Sequence, residues 1–546
     1  MRTFFATALA MLTLASCSKN ERDGGSPDLP STISKAYMSL SVQFPQGTKA
    51  TASDAGPGTE AGTQEESTVS SVWVIAFDDA LNKVDAKEVT GNVTVGGQGT
   101  LMPFTISEKT TQVFVAINTP TALENQIKGA NTYDEMNKAI STLTAADLTQ
   151  ANQFLMVSSG SMTGDVNAKV DDKGLSKVEL TIAASDSDGD RQQAIEEAKG
   201  KAVAVSVDRV VSKVKVIKNA AGVTVADNAT ADITGWVLNT TNKSFFPYAP
   251  RVEYPATGNA VYRQDPNYEN LPLTPGSVDL TDACGAFNWI HNSASALAGG
   301  ATVTWKGLAE MDYCLENTME AGEAQNYNNT TKVVLKATYT PQNKDAEGWF
   351  YFNNSFMDLS DVQEHYNTVS GDKQKLADLL VALGLQSKTW DSALANAVTL
   401  DDLNGVEDVA YKVAKFSHAN DMDMQYYPNS ECYYAVNIKH DNQQQEGMLG
   451  RWGVVRNNSY TLQIDNINGA GTSYIPDPTD PDVGPGNPDP SDPKPNDGES
   501  KAYIAVTITV NDWTTWTQGV FVIHNTVSFP FGTLFLDSKY SHMFRF

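Results

Sequence analysis

The chain has 546 residues, of which 41% are hydrophobic and 19% are charged, a composition typical of a folded protein of roughly two to four domains. The formal net charge of −26 leaves no basic stripe to neutralise phosphates, so nucleic acid is excluded as an expected partner. The negative charge instead favours a soluble surface on which molecules repel one another.

The first element in chain order is a predicted export signal, residues 1–17. Arg2 precedes an apolar run that ends at Leu14-Ala15-Ser16-Cys17. The run is too short to cross a bilayer as a helix. The four final residues resemble a bacterial lipobox, which predicts that Cys17 carries a lipid and becomes the first residue. The alternative is an ordinary signal peptide with a chance cysteine.

The second element is a predicted strand, Ser34–Phe44, within a segment 18–49. An apolar residue at every second position predicts one buried face. These residues are Ala36, Met38, Leu40, Val42 and Phe44. Pro45–Thr68 follow and are predicted to be an exposed, disordered loop. Its single basic residue, Lys49, offers one target for a protease that cuts after basic residues, between Lys49 and Ala50.

The body of the chain alternates short β-branched or aromatic runs with turn residues, which predicts strands. We expect one β-domain over residues 50–217 and a second over 218–474. Val203–Ile217, with alternating valine and charged residues, is expected to close the first domain. Thr132–Asn152 and Gly371–Gln386 have helical spacing. Many strands with few helices predict a mostly β, mostly antiparallel fold and argue against a parallel α/β enzyme.

The sequence contains no recognisable catalytic or metal-binding motif, and neither a cofactor nor an enzymatic activity is expected. Asp186–Glu197 resembles a calcium loop, but Arg191 stands where such a loop needs glycine, so an acidic turn that caps a helix is preferred. Aromatic runs fit core strands better than a glycan platform. Cys284 and Cys314 have a spacing that permits a disulfide, and buried free thiols, Cys432 included, are the alternative.

The C-terminal elements are a Pro/Asp-rich linker, residues 475–499, and a strand within 500–523. Without gaps, this strand aligns with the first one, and its apolar residues are Ala502, Ile504, Val506, Ile508 and Val510. The match leads to the hypothesis that both strands suit one groove at different times. In the alternative, they pair within one sheet and resemble each other by chance. The role of residues 524–546 is unknown.

Several segments together resemble the Bacteroidales fimbrillins, the type V pilins, and most closely the major shaft subunits of short (Mfa-type) fimbriae. The resemblance covers nearly the whole chain. The segments that carry it are "LASCSK", "SKAYMSLSV", "VAVSVDRVVSKVKV", "ITGWVLNTTNKSFFP", "VVLKATYTP", "WGVVRNNSYTLQIDNINGAG" and "AYIAVTITVNDW". Two features depart from the family pattern: lysine replaces arginine at the cleavage position, and the chain continues beyond Trp513 and Trp516.

The resemblance implies two transthyretin-like β-sandwich domains with short helical insertions, and a lipoprotein precursor of the outer membrane. It also implies maturation by a trypsin-like protease at Lys49–Ala50 and polymerisation by donor-strand exchange, with a donor strand that begins near Ala502. The expected partners are other copies of the chain, accessory fimbrial subunits, the protease and the membrane through the lipid. The mature form is expected in cell-surface fimbriae that support adhesion and biofilm formation. The alternative function is a tip or accessory adhesin, or a monomeric surface lipoprotein that binds glycan or host protein.

Overall fold

Most of the regular structure in this chain is β-strand, as the sequence predicts. The computed structural model describes residues 35–44, 58–95, 101–159, 173–252, 262–269, 285–291, 296–297, 303–325, 329–441, 444–445, 447–476 and 503–514. Several predicted features lie outside these ranges: the export signal with Cys17, the Lys49–Ala50 bond, Cys284, most of the linker, Ala502 and residues 524–546.

The strands of the N-terminal half precede Val210. They are β1 (Ala36–Met38), β2 (Leu40–Gln43), β3 (Gly58–Ala61), β4 (Val72–Phe77), β5 (Lys83–Glu88), β6 (Thr94–Val95), β7 (Phe104–Ile106), β8 (Gln112–Ile117), β9 (Met156–Ser158), β10 (Ser176–Lys177), β11 (Thr181–Ile182) and β12 (Val203–Arg209).

The strands of the C-terminal half follow Val210. They are β13 (Val211–Lys218), β14 (Thr224–Val225), β15 (Thr230–Asn239), β16 (Thr241–Asn242), β17 (Arg251–Val252), β18 (Tyr262–Arg263), β19 (Phe287–Asn288), β20 (Ile290–His291), β21 (Ala296–Leu297), β22 (Met311–Leu315), β23 (Lys332–Thr340), β24 (Gly348–Phe352), β25 (Ser355–Met357), β26 (Met424–Pro428), β27 (Glu431–Asn437), β28 (Asn458–Ile467) and β29 (Ile504–Thr514).

The helices are short and lie between strands. They are α1 (Thr121–Gly129), α2 (Tyr133–Met136), α3 (Ala145–Leu148), α4 (Asp188–Lys199), α5 (Leu359–Thr368), α6 (Ser370–Ala382), α7 (Leu400–Asn404) and α8 (Val409–Ala419), with a 3-10 turn at Gly322–Ala324. The helix predicted over Gly371–Gln386 is present as α6. The helical spacing of Thr132–Asn152 corresponds to two single turns, α2 and α3, each capped by a threonine side chain. Within the described residues, no helix is long and apolar enough to cross a membrane.

The N-terminal half is built on an eight-stranded sheet of order β5-β4-β8-β9-β12-β2-β6, with β10 beside β8, and a three-stranded sheet β11-β1-β7. The apolar run of β4 is buried on both faces. Val72, Val74 and Ala76 lie in the core with the N-terminal strand, whereas the alternate residues of β4 pack with α1, α2 and α3. A continuous apolar strand is expected where both faces of a sheet are covered.

The chain passes from the eight-stranded sheet to another sheet at Val210, within the segment Val203–Ile217 that is expected from the sequence to close the first domain. β12 lies in the eight-stranded sheet, whereas β13 pairs with β22 and β28 in a different, six-stranded sheet. The alternation of valines shifts phase where the chain changes sheet. Val203, Val205 and Val207 of β12 occupy odd positions, whereas Val214 and Val216 of β13 occupy even positions. The step of three residues from Val207 to Val210 therefore marks this point in the sequence.

The C-terminal half has two sheets that face each other across one core. One is the six-stranded sheet β22-β13-β28-β29-β3, with β14 beside β28, and the other is β15-β23-β27. Side chains of both sheets meet in this core, with Val214 and Leu462 from the first and Leu335 from the second. Two sheets that share a core in this way form a β-sandwich. The helices α5 to α8 pack with the antiparallel neighbours β24 and β26 around a separate core that includes Trp390.

A buried ion pair joins Arg456, shortly before β28, to Glu316, directly after β22. The Nε atom of Arg456 donates to the Glu316 carboxylate at 2.9 Å, and both side chains are at most 1% exposed. Arg456 Nη1 also donates to the Pro247 carbonyl at 2.9 Å. The guanidinium therefore bonds to a carboxylate and to backbone, which offsets the cost of burying its charge.

Replacing one partner of this pair should destabilise the fold strongly. We expect Glu316→Ala to lower the free energy of unfolding by about 3–5 kcal/mol, because Arg456 would remain buried without its counter-charge. Chemical denaturation measures the change. The matched control is Asp232→Ala, which breaks the exposed Lys218–Asp232 pair of 2.7 Å and should cost at most about 1 kcal/mol. Equal effects of the two substitutions would contradict the assignment.

A second prediction concerns the pH dependence of stability and the buried carboxyl of Asp265. The ordinary pKa of an aspartate side chain is 3.8. Burial raises the pKa of Asp265 to about 7, although hydrogen bonds from Thr318 act to lower it. Between these values the folded state binds the proton and the unfolded state does not, so Asp265 makes the fold less stable as pH rises. Asp265→Asn should therefore gain stability relative to the wild type between pH 4 and 7. Denaturation of both proteins across that range tests this; a constant difference would contradict it.

Candidate functional site: the two end strands

The N-terminal strand, β1 and β2 together, is embedded in the core of the N-terminal half. Its five alternating apolar side chains are each at most 4% exposed: Ala36, Met38, Leu40, Val42 and Phe44. They share one cluster with residues of the surrounding strands, such as Val74, Val115 and Val205. These side chains therefore form part of the core itself.

Both edges of the N-terminal strand are paired. β1 lies between β7 and β11, with Ala36 opposite Ile106 on one side and opposite Ile182 on the other. β2 lies between β12 and β6, and both of those pairings are parallel. The strand passes from the small sheet to the large one at Ser39. Removing residues 36–44 would therefore open an apolar groove flanked by unpaired strand edges on both sides.

Helix α4 covers the outer face of β1. Tyr37 is 6% exposed and packs with Ala194 and Ala198 of the helix. Arg191 donates to the Tyr37 hydroxyl at 3.1 Å and forms an ion pair of 2.7 Å with Asp186. The arginine at the glycine position of the calcium-like pattern thus holds the helix on the strand. Ser187 caps α4 by accepting from the backbone N–H of Asp190.

The C-terminal strand β29 occupies the six-stranded sheet of the C-terminal half. It runs antiparallel to β28, with Val510 opposite Tyr460 and Ile508 opposite Leu462. Ile504, Ile508 and Val510 are at most 3% exposed in the core between the two sheets, and Val506 packs partly against it. The alternation expected from the sequence is thus present in both end strands, but in two different cores.

The two end strands also differ in their edges. On its outer side, β29 pairs with β3 only at Asn511–Thr514. Among the described residues, no strand pairs with the outer edge of residues 504–510. The N-terminal strand is therefore central in its sheets, whereas most of the C-terminal strand has one ladder of hydrogen bonds.

The end of β29 is anchored by Trp513, which is fully buried. Its ring stacks on Tyr313 with centroids 5.8 Å apart, and the Arg209 guanidinium lies 4.3 Å from the ring centre. Arg209 Nη1 donates to the Trp513 carbonyl at 3.0 Å. Burial lowers the pKa of Arg209 to about 10, so its charge persists at neutral pH.

Two carboxylates that follow the predicted cleavage position complete this environment. Glu66 accepts from Trp513 Nε1 at 3.2 Å and from the Tyr313 hydroxyl at 2.7 Å. Glu60 pairs with Lys213 at 3.2 Å and with Lys215 at 2.9 Å. Burial acts to raise the pKa of Glu60, but the hydrogen bond from Lys215 and the lysine charges outweigh it, so the pKa lies below the usual value.

This part of the site corrects the prediction of a disordered loop over Pro45–Thr68. Gly58–Ala61 form strand β3, and Glu66, Ser67 and Thr68 are buried. Residues 45–57 lie outside the described residues. The sequence "GTEA" contains no apolar alternation, so its strand conformation depends on β29 and on the ion pairs of Glu60. No local signal could have identified it.

The cysteines and acidic residues form no second site in the described part of the chain. Cys314 and Cys432 are buried free thiols, and burial raises the pKa of Cys432 to about 12. No group of three or more His, Cys, Asp or Glu side chains is placed there to hold a metal ion. The contacts described at the two end strands are strand pairing, apolar burial and charge pairing.

A comparison with protein families matches a region that contains β27, β28 and β29 and all but the first residue of β26. Residues 425–519 match the family described as major fimbrial subunit protein type IV, fimbrillin, C-terminal. This region is fimbrillin-like. The resemblance to the fimbrillins that the sequence predicts is thereby confirmed over this part of the chain. The match spans the C-terminal strand and the strand β28 with which it pairs.

Solved structures give likenesses along more of the chain, at low identity. A putative cell adhesion protein from Parabacteroides distasonis is 12% identical, with 88% of this chain and 100% of that chain covered and a TM-score of 0.40. A fimbrilin from Porphyromonas gingivalis W83 is 13% identical, with 88% and 98% covered and a TM-score of 0.37. The tip fimbrial protein Mfa3 from Porphyromonas gingivalis is 12% identical, with 83% and 98% covered and a TM-score of 0.30. No curated protein matches the chain in sequence.

Proposed function

We propose that this chain is a structural subunit, a major pilin, of a bacterial surface fimbria that polymerises by donor-strand exchange. The fimbrillin match of residues 425–519 supports a fimbrial role. The observation that supports the exchange mechanism is that the two end strands differ in the pairing of their edges. The N-terminal strand has partners on both edges, whereas residues 504–510 of the C-terminal strand have one ladder.

The sequence of events follows from this difference. The precursor is exported with lipid on Cys17, and the strand Ala36–Phe44 fills its own groove. Cleavage between Lys49 and Ala50 cuts that strand from the rest of the chain. When it leaves, five buried apolar side chains leave the core, a loss on the order of 10 kcal/mol. A domain is stable by about 5–15 kcal/mol, so the vacated groove must be refilled.

The neighbouring subunit supplies the replacement. Its Ala502, Ile504, Val506, Ile508 and Val510 align with the five lost side chains, and its linker, residues 475–499, gives the strand reach. In the groove the strand gains a second ladder that it lacks in its own sheet, which favours the transfer. Each subunit thus donates one strand and accepts one, and the head-to-tail repeat builds an open filament. Accessory subunits would join the filament by the same exchange of strands.

The test is the response of purified precursor to a trypsin-like protease. The expected products are a new N-terminus at Ala50 and a ladder of oligomers that resists mild SDS. Uncleaved precursor at the same concentration is the control and should stay monomeric. Cleaved protein that remains monomeric at high concentration would refute a shaft subunit and favour a tip adhesin or a monomeric surface lipoprotein.

A further inference from the structure

Ion pairs of Glu60 on β3 cross the face of the C-terminal strand that is turned away from the core between the two sheets. Trp513 of β29 is opposite Glu60 of β3, Asn511 is opposite Ser459 of β28, and Ser459 is opposite Lys213 of β13. Residues opposite one another in a sheet share a face. Glu60 therefore reaches over β29 and β28 to Lys213 and Lys215, and it accepts from the Ser459 hydroxyl at 2.9 Å on the way.

A second contact holds the same strand end through the indole N–H of Trp513. Glu66, 1% exposed, accepts from Trp513 Nε1 and pairs with Lys213 at 3.3 Å. The Nε atom of Arg209 donates to the Glu66 carbonyl at 2.9 Å, while Arg209 Nη1 holds the Trp513 carbonyl. The segment Gly58–Thr68 therefore contacts β29 through its backbone and through Glu66, and the Glu60 side chain reaches across β29 to β28 and β13.

We propose that Gly58–Thr68 is an autoinhibitory latch that retains the C-terminal strand in its own sheet. The latch pairs with β29 only at Asn511–Thr514, next to the stretch 504–510 whose outer edge has no described partner. It follows the Lys49–Ala50 bond and so stays in the mature subunit. The strand can leave its sheet only after Trp513 and the crossing ion pairs are released. This inference rests on the proposed function, in which the C-terminal strand must leave its own sheet to enter the groove of another subunit.

The latch limits how often a mature subunit presents its donor strand. Edge strands without such cover are prone to uncontrolled pairing with other chains. The ion pairs and the buried indole retain the strand in the free subunit. They do so without lengthening the ladder of hydrogen bonds between β29 and β28. The latch therefore suppresses premature release while leaving the apolar face of the strand unchanged.

The decisive measurement is amide hydrogen exchange in the uncleaved full-length protein. Glu60→Gln keeps the shape of the side chain and removes the charge that pairs with Lys213 and Lys215. We expect exchange within Ile504–Val510 to become at least about tenfold faster, a ratio that corresponds to about 1.4 kcal/mol. Exchange within Val72–Phe77, in the other half, should be unchanged. The matched control is Asp232→Asn, which removes an exposed ion pair to Lys218 of the same strand β13.

A second variant keeps the inference testable if Glu60→Gln disturbs folding. Trp513→Phe retains a ring but removes the N–H that donates to Glu66, and it should also speed exchange within Ile504–Val510. Unchanged exchange in a folded variant overturns the latch. If exchange speeds up while cleaved wild-type protein never polymerises, the latch stands and the proposed function fails. If cleaved protein polymerises but exchange does not respond, the proposed function stands and the latch fails.

Discussion

Cleaved protein that lacks Ala502–Phe546 is expected to remain monomeric under conditions in which the cleaved full-length chain forms an SDS-resistant ladder. The deletion removes the donor strand and leaves the vacated N-terminal groove in place. No copy can then fill the groove of another copy. Size-exclusion chromatography and mild SDS electrophoresis measure the difference, which should be close to complete because each junction needs one donor strand.

The deletion also removes a strand from its own sheet, so point substitutions must accompany it. Ile508→Ser changes a buried donor-face residue, whereas Tyr503→Ser changes a neighbour that is 55% exposed. Only Ile508→Ser should weaken the ladder markedly. A synthetic peptide of residues 500–523 should block polymerisation of the full chain by occupying the groove. Continued polymerisation of the deletion variant would show that the donor lies elsewhere.

The second large effect is expected from Lys49→Gln, which should prevent maturation by a trypsin-like protease. Lys49 is the single basic residue between Lys35 and Lys83, so no nearby basic site can replace it. The uncut N-terminal strand would stay covalently attached to the core it fills. Because a tethered strand returns to its groove at high effective concentration, a donor from another molecule cannot compete. Mass spectrometry of the digested precursor and the oligomer assay measure the loss.

Lys49→Arg is the matched control, since it keeps the positive charge that such a protease recognises. It should be cut and should polymerise like the wild type. Formation of a full ladder by Lys49→Gln, with residues 18–49 still attached, would separate polymerisation from cleavage. The groove occupied by Leu40 and Val42 would then not be the acceptor.

Periodicity in the sequence predicts those strands that bury one face against a core. The alternation of Ala36–Phe44 and of Ile504–Val510 is enough to place both sets of apolar side chains in a core. The sequence also indicates helix α8, because Val409, Val413 and Phe416 have helical spacing. Val409 and Val413 lie in the core that includes Trp390, and Phe416 packs against it. Local pattern thus accounts for most of the elements.

What the sequence does not predict depends on partners distant in the chain. The two end strands have the same apolar period, yet β2 pairs with β12 and β29 pairs with β28. Which core a strand enters is decided by the neighbours on both of its edges, and those lie far along the chain. The same is true of β3, whose strand conformation depends on Asn511–Thr514 and on lysines of β13.

The two-sided pairing of the acceptor groove has a mechanical consequence for the proposed filament. Tension along such a fibre reaches each junction through the linker and pulls the inserted strand along its own length. A strand bonded on both edges shares this load between two ladders, which must slip together. A strand in the position of β29 has one ladder over most of its length to carry the same load. Exchange would thus move each strand from a weakly resisting site to a strongly resisting one, and the fibre would withstand pulling far better than the free subunit retains its own end.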